Sequence, residues 1–205
     1  MGAKRNLVYV PVLHSTADMG SFAARLKQPE DYAARVGEYW RRVDAEIRAL
    51  PWSWAAAHVY QDGLPDARAD IVTRIVSEVD SPNYRLVRWL ASGGATVVGT
   101  EDPVLLQEEY ELLKASLADD SARRAYAARA AGLLAERDRY IAGRIDATLP
   151  AGGTGVLFIG LQHGVAGMLP ADVTVTSLRC CRELLPGIAS LVGRPAAESG
   201  GAPSK

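Results

Sequence analysis

Short runs of branched and apolar residues alternate along this chain with longer stretches of helical spacing, and this alternation limits the fold more than any other feature. The most distinct run is Gly155–Gly160, and others cover 6–13, 54–60, 95–99 and 173–175. Runs without a polar face are typical of strands that are covered on both sides. The sequence therefore predicts an α/β protein with a mostly parallel central sheet of about four to five strands flanked by helices.

The segments between these runs have the 3.6-residue period of amphipathic helices, as in 29–50 and 67–79. The segment 104–149 is mostly Ala, Leu, Glu and Arg, and predicts two consecutive helices that separate near Asp119-Asp120-Ser121. A long helical hairpin is thus expected before the last buried strand. We predict one domain over 1–192 and a disordered tail over 193–205, which is rich in Gly, Pro, Ala and Ser.

Charge and cysteine usage limit the partners that we expect. The chain has 23 Lys and Arg against 24 Asp and Glu, so no net field attracts nucleic acid or an anionic membrane surface. The first apolar run is too short to span a bilayer, and no signal-peptide cleavage site follows it. The adjacent cysteines Cys180 and Cys181 suit reduced thiols. A cytoplasmic protein that acts on a small molecule is the expectation.

Polar residues follow four of the predicted strands. In parallel sheets ligands bind beyond the carboxyl ends of the strands, so these residues are the candidates for a site. They are His14 after the first strand, Gln61 and Asp62 after the second, Glu101 and Asp102 after the third, and Gln162 and His163 after the fourth.

The residue types at these strand ends suit acid/base chemistry. We predict His14, His163, Glu101 and Arg137 as catalytic residues, with Arg137 reaching from the long helix to stabilise negative charge. Substrate binding is assigned to Asp18, Gln61, Gln162 and Asp138. A divalent metal, zinc, manganese or iron, is an open alternative, with His14, His163, Asp62 and Glu101 as its ligands. The structural alternatives are an Asp-Gly turn at Asp62 and a helix cap at 101–103, and Glu109 is expected on a solvated helix face.

Two segments resemble a known family. A helix with Glu136-Arg137-Asp138 precedes a buried strand that ends in Gly160-Leu-Gln-His163. This arrangement is similar to the TraB/Tiki proteins, in which a helix carrying Glu-Arg-Asn precedes a strand ending in Gly-x-x-His. Here Asp138 stands in place of the usual Asn, and Pro11-Val-Leu-His14 departs from the family's first motif.

The wider erythromycin-esterase/ChaN-like superfamily has the same architecture, with a histidine after the first strand as well. The resemblance implies an α/β site of two histidines, acids and an arginine. Some members use such a site for metal-dependent peptide hydrolysis, and others for ester hydrolysis or haem binding.

These observations lead to one main hypothesis and two alternatives. The main hypothesis is a hydrolase-type enzyme that cleaves an ester or peptide-like bond of a small molecule, with metal assistance left open. The alternatives are a lyase or cyclase that uses histidine acid/base catalysis, and a non-catalytic protein that binds haem or a metabolite. The aromatic residues Tyr39, Trp40, Trp52 and Trp54 either complete the core or form the surface of a homodimer.

Overall fold

A computed structural model describes residues 3–13 and 31–192, with side chains as far as residue 188. It is an α/β structure, as the sequence predicts. The elements in chain order are β1 (Arg5–Val12), α1 (Tyr32–Arg48), β2 (Ala57–Pro65), α2 (Ala69–Glu78), α3 (Pro82–Ser92), β3 (Thr96–Glu101), α4 (Pro103–Ser116), α5 (Asp120–Thr148), β4 (Thr154–Gly160), β5 (Val173–Ser177) and α6 (Arg179–Val192).

The five strands form one parallel sheet in the order β3-β2-β4-β1-β5. β4 lies at the centre, where Gly155 pairs with Leu7 of β1 on one side and with His58 of β2 on the other. Since all strands are parallel, the carboxyl ends of β2, β3 and β4 lie at the same edge of the sheet. The polar residues that follow these strands are therefore neighbours in space.

Helices cover both faces of the sheet. One face packs against α1, α2, α3 and α6 through a large apolar cluster that includes Val10, Val59 and Phe158. The other face packs against the C-terminal half of α5, where Ile141 and Ile145 are fully buried. This burial explains the continuous apolar runs of the strands, which have no solvated face.

Tyr39 and Trp40 of α1 belong to the core, with exposed fractions of 0% and 5%. The Tyr39 hydroxyl donates to the carbonyl of Pro11 over 2.6 Å, and the Trp40 indole N–H donates to the carbonyl of Leu13 over 3.0 Å. These bonds fix the chain at the carboxyl end of β1. The core alternative is therefore confirmed for these two aromatic residues, and a homodimer stays a prediction.

The predicted helical hairpin is formed by α4 and α5. Asp119 caps α5 by accepting the N–H of Ala122 over 2.8 Å, at the predicted break between the helices. Arg129 of α5 contacts Glu108 of α4 and Glu136 of its own helix, at 2.7 and 2.8 Å. The hairpin places the middle of α5 over the carboxyl edge of the sheet.

The second strand is longer than the sequence predicts. β2 continues from the predicted end at Tyr60 as far as Pro65, with a shift of register between Gln61 and Pro65. Gly63 has a φ of +73° within this segment, a conformation that glycine adopts at little cost. The predicted turn is thus an irregular continuation of the strand, which carries Asp62 to the edge of the sheet.

No helix within 3–13 and 31–192 is long and apolar enough to cross a membrane. The assignment of 1–192 to a single domain and of 193–205 to a disordered tail stays a prediction.

Candidate functional site

The ends of three strands bring together Asp62, Glu101 and His163. The Oδ2 atom of Asp62 accepts the backbone N–H of Gly160, the last residue of β4, over 2.9 Å. A Cβ atom at Gly160 would lie only 3.0 Å from that oxygen and 3.4 Å from the His163 ring. A glycine at this position therefore allows the carboxylate and the imidazole to approach each other across the end of the strand.

The guanidinium of Arg137 joins the acidic residues of the site. Its Nη2 contacts Glu101 Oε1 at 2.6 Å and Asp62 Oδ1 at 3.0 Å, and its Nε contacts Glu101 Oε2 at 3.1 Å. Its Nη1 donates to Glu109 of α4. The Arg137 side chain is 5% exposed and that of Glu101 is fully buried. One positive charge thus contacts three carboxylates at the edge of the sheet.

Burial and these contacts shift the pKa values of the acids in opposite directions. Burial raises the pKa of Glu101 above its ordinary value, and the Arg137 contact offsets only part of this effect. Burial also acts to raise the pKa of Asp62, but the charges of His163 and Arg137, with the bonds from Glu101 and Gly160, outweigh it and lower that pKa.

Asp138 holds the ring of His163. Its Oδ1 lies 2.5 Å from Nδ1 of His163, and its Oδ2 accepts the backbone N–H of Gly164 over 2.7 Å. The hydroxyl of Tyr9 donates to the His163 carbonyl over 3.3 Å. Since an ionised carboxylate can only accept a hydrogen bond, this contact places the proton on Nδ1 and selects the tautomer with a lone pair on Nε2. Nε2 itself lies 3.6 Å from Oδ2 of Asp62.

These side chains open onto a cleft of about 450 Å³. This volume lies within the range of small-molecule sites, which combine apolar walls with a few polar groups. The polar groups are Asp62, Glu109, Arg137, Gln162 and His163. The walls are formed by Val12, Leu13, Tyr32, Leu106, Leu134 and Leu161.

The structure brings most of the predicted site residues together. Asp62, Arg137, Gln162 and His163 line the cleft, and Glu101 lies directly behind it. Asp138, which the sequence analysis assigns to substrate binding, contacts His163.

The side chain of Gln61 is not part of the cleft lining: it donates to the Asp62 carbonyl over 2.8 Å and accepts from Asn83 over 3.2 Å. His14 and Asp18 lie outside the described residues.

Two residues contribute to the site that the sequence does not indicate, Glu109 and Tyr9. Glu109 is expected on a solvated helix face, yet it contacts Arg137 and lines the cleft. Its position one turn before Leu113 on α4 carries no signal of this role. Tyr9 lies in the middle of β1, where its hydroxyl reaches the His163 carbonyl. Burial and the charges of Asp138 and Asp62 raise the pKa of Tyr9 to about 12, so its hydroxyl keeps its proton.

Asp62, Glu101 and His163 also offer two oxygens and one nitrogen that lie within 4.8 Å of one another. Such donors are typical ligands of zinc, manganese and iron. Arg137, however, already binds both carboxylates, so the donor set does not fit a metal ion while this guanidinium is in place.

Comparison of the chain with protein-family models, with curated proteins and with solved structures gives no match.

Proposed function

We propose that this chain is a hydrolase-type enzyme that cleaves an ester or peptide-like bond of a small molecule, with His163 as the general base. The observation that carries the proposal is the Asp138–His163 pair. Asp138 binds Nδ1 at 2.5 Å, and this leaves Nε2 available for a proton at the floor of the cleft. An oriented imidazole of this kind is a common general base.

In the proposed reaction, Nε2 of His163 takes a proton from a water molecule in the cleft. The water oxygen forms a bond to the carbonyl carbon of the substrate, and the carbonyl electron pair moves to its oxygen. When this pair returns, the bond to the leaving oxygen or nitrogen breaks, and the leaving group takes the proton from Nε2. Asp138 stabilises the imidazolium that exists between the two transfers.

Asp62 and Arg137 have supporting roles in this scheme. Oδ2 of Asp62 lies 3.6 Å from Nε2, close enough to orient a water molecule beside the imidazole. Glu101 raises the pKa of Arg137 against the opposing effect of burial, so the guanidinium stays charged. Among the described residues Nη1 of Arg137 donates only to Glu109, and its second N–H group would stabilise the negative charge that develops on the carbonyl oxygen. No step of the scheme uses a metal ion.

The similarity to the TraB/Tiki proteins supports a hydrolytic function, and membership of that family stays a prediction. Arg137 and His163 match the family's motifs in sequence, and both side chains line the cleft.

The test compares the wild type with His163→Gln on a panel of 4-nitrophenyl esters and the matching 4-nitroanilides. We expect the variant to lose about 100-fold or more in kcat/KM, the usual contribution of a general base. His58→Gln is the matched control, because His58 lies on β2 and not among the residues lining the cleft. Equal rates for the wild type and His163→Gln would contradict the proposal.

Hydrolysis in ¹⁸O-labelled water identifies the class of reaction. A hydrolase transfers the labelled oxygen to the acid product. A lyase or cyclase forms product without it, and that result would favour elimination or cyclisation over hydrolysis.

A further inference from the structure

We propose that Arg137 is the permanent cation of this site, and that Asp62, Glu101 and His163 bind a divalent metal only when this guanidinium is removed. The chemistry of the proposed hydrolase then proceeds without a metal cofactor. This inference deepens the proposed function, but its main test measures metal binding, so the two can fail separately.

The carboxylate oxygens of Glu101 and Asp62 already accept hydrogen bonds from the protein. Both oxygens of Glu101 accept N–H groups of Arg137, at 2.6 and 3.1 Å. Oδ1 of Asp62 accepts a third N–H of Arg137 at 3.0 Å, and Oδ2 accepts that of Gly160 at 2.9 Å. A metal ion needs lone pairs that point at it. In this arrangement the oxygens of both acids point at donors of the protein itself.

The charge of Arg137 also opposes the binding of a cation. A divalent ion bound between Asp62 and His163 would lie within a few ångströms of the guanidinium, in a region where Arg137 is 5% exposed and Glu101 is fully buried. Repulsion between such charges is strong where water is excluded. A metal readily displaces a proton from His or Cys, but an arginine keeps its charge, so the whole side chain would have to leave.

The packing of α5 and the contacts of the guanidinium hold Arg137 in the site. It lies in the middle of α5, with Leu133 one turn before it and Ile141 one turn after it, and these are 1% and 0% exposed. Glu109 of α4 holds the outer side of the guanidinium. Movement of Arg137 out of the site would break its contacts with three acids on three different elements.

The same geometry predicts what happens when the guanidinium is absent. Arg137→Met keeps a long apolar side chain but frees two carboxylates beside an imidazole, within 4.8 Å of one another. Without a counter-ion these carboxylates repel each other, and a divalent ion relieves that repulsion while it gains three ligands. The variant is therefore expected to acquire a metal site.

The experiment is a titration with Co²⁺, whose visible absorption reports coordination by nitrogen and oxygen. We expect one Co²⁺ per chain in Arg137→Met, bound at least about 100-fold more tightly than by the wild type. This binding should be lost in the double variant Arg137→Met, His163→Gln. Arg129→Met is the matched control, since Arg129 lies on the same helix and also contacts two glutamates, Glu108 and Glu136, and it should gain no site.

The metal content of wild-type protein, purified without chelators or a nickel column, tests whether the unmodified site is free of metal. We expect less than one zinc, manganese or iron ion per chain. Treatment with EDTA should leave the rate unchanged for the 4-nitrophenyl ester that the wild type hydrolyses. Stoichiometric metal in the wild type that is lost in His163→Gln would overturn the proposal. So would a folded Arg137→Met that binds Co²⁺ no better than the wild type. If Arg137→Met does not fold, the wild-type metal content and the charge-preserving Arg137→Lys, expected to be metal-free, decide the question.

Discussion

Replacement of Asp138 by Asn tests the tautomer argument, because it removes a charge without changing the shape of the side chain. The two oxygens of Asp138 accept from two donors, Nδ1 of His163 at 2.5 Å and the backbone N–H of Gly164 at 2.7 Å. An amide has only one oxygen. In either orientation of the new amide, therefore, one of the two donors faces an NH2 group or the imidazole is forced to change its tautomer.

Each orientation has a distinct cost. With the amide oxygen toward Nδ1, the N–H of Gly164 loses its acceptor, and a lost charge-assisted bond of this kind costs about 1.5 to 3 kcal/mol. With the amide nitrogen toward Nδ1, the ring carries its proton on Nε2 and cannot act as a base. In analogous Asp–His pairs this second outcome lowers kcat by a factor on the order of 10⁴. We expect kcat to fall by a factor between about 100 and 10⁴.

The assay combines ester hydrolysis at a temperature well below Tm with urea unfolding and ¹⁵N spectra of the imidazole. The spectra report which ring nitrogen of His163 carries the proton. Asp44→Asn is the control, because Asp44 forms an exposed pair with Arg48 and should change stability by less than about 1 kcal/mol. If Asp138→Asn keeps wild-type kcat and the wild-type tautomer, the role assigned to Asp138 is refuted.

Two further predictions concern stability. The pKa of Glu101 is raised in the folded protein, chiefly by burial, so its contribution to stability is present below pH 4.5 and is lost as the pH rises through the folded value. The Tm of the wild type minus that of Glu101→Gln should therefore decrease between pH 4 and pH 8, about the range over which a raised carboxyl pKa titrates. A difference in Tm that stays constant with pH would contradict the raised pKa of Glu101. Gly99→Ala should destabilise the protein by several kcal/mol in urea unfolding, because its Cβ would overlap the backbone at the end of β2, which cannot move aside. Gly143→Ala, where nothing lies within 4 Å of the new Cβ on α5, should instead stabilise it by about 0.5 to 1 kcal/mol, and equal effects at both glycines would refute the steric argument.

The sequence predicts the part of the site that depends on strand ends. The residues that follow a buried parallel strand lie at the carboxyl edge of the sheet. Apolar runs followed by polar residues therefore identify Asp62, Glu101 and His163. Arg137 can be identified as well, from its place on the long helix before the last buried strand. The prediction of the three residues at strand ends needs no knowledge of how the helices are rotated.

The contacts of helix residues depend on rotations and crossing angles that a single sequence does not define. Arg137 and Asp138 are adjacent on α5, and the packing of that helix directs one toward Glu101 and the other toward His163. Glu109 faces the cleft because α4 folds back on α5, although the surrounding glutamates look like a solvated face. The extension of β2 through Asp62 depends on its pairing with β3, which local propensities do not show.

The position of β1 in the sheet has a consequence for synthesis of the chain. β1 pairs only with β4 and β5 among the described strands, so Asn6 finds its partners at Thr154 and Thr174. Ribosomes add about 5 to 20 residues per second. The interval between synthesis of β1 and synthesis of β4 is therefore on the order of ten seconds. During that time an apolar segment has no sheet to join. The nascent β1 is thus expected to depend on a chaperone, or on transient packing against α1, until β4 and β5 have been synthesised.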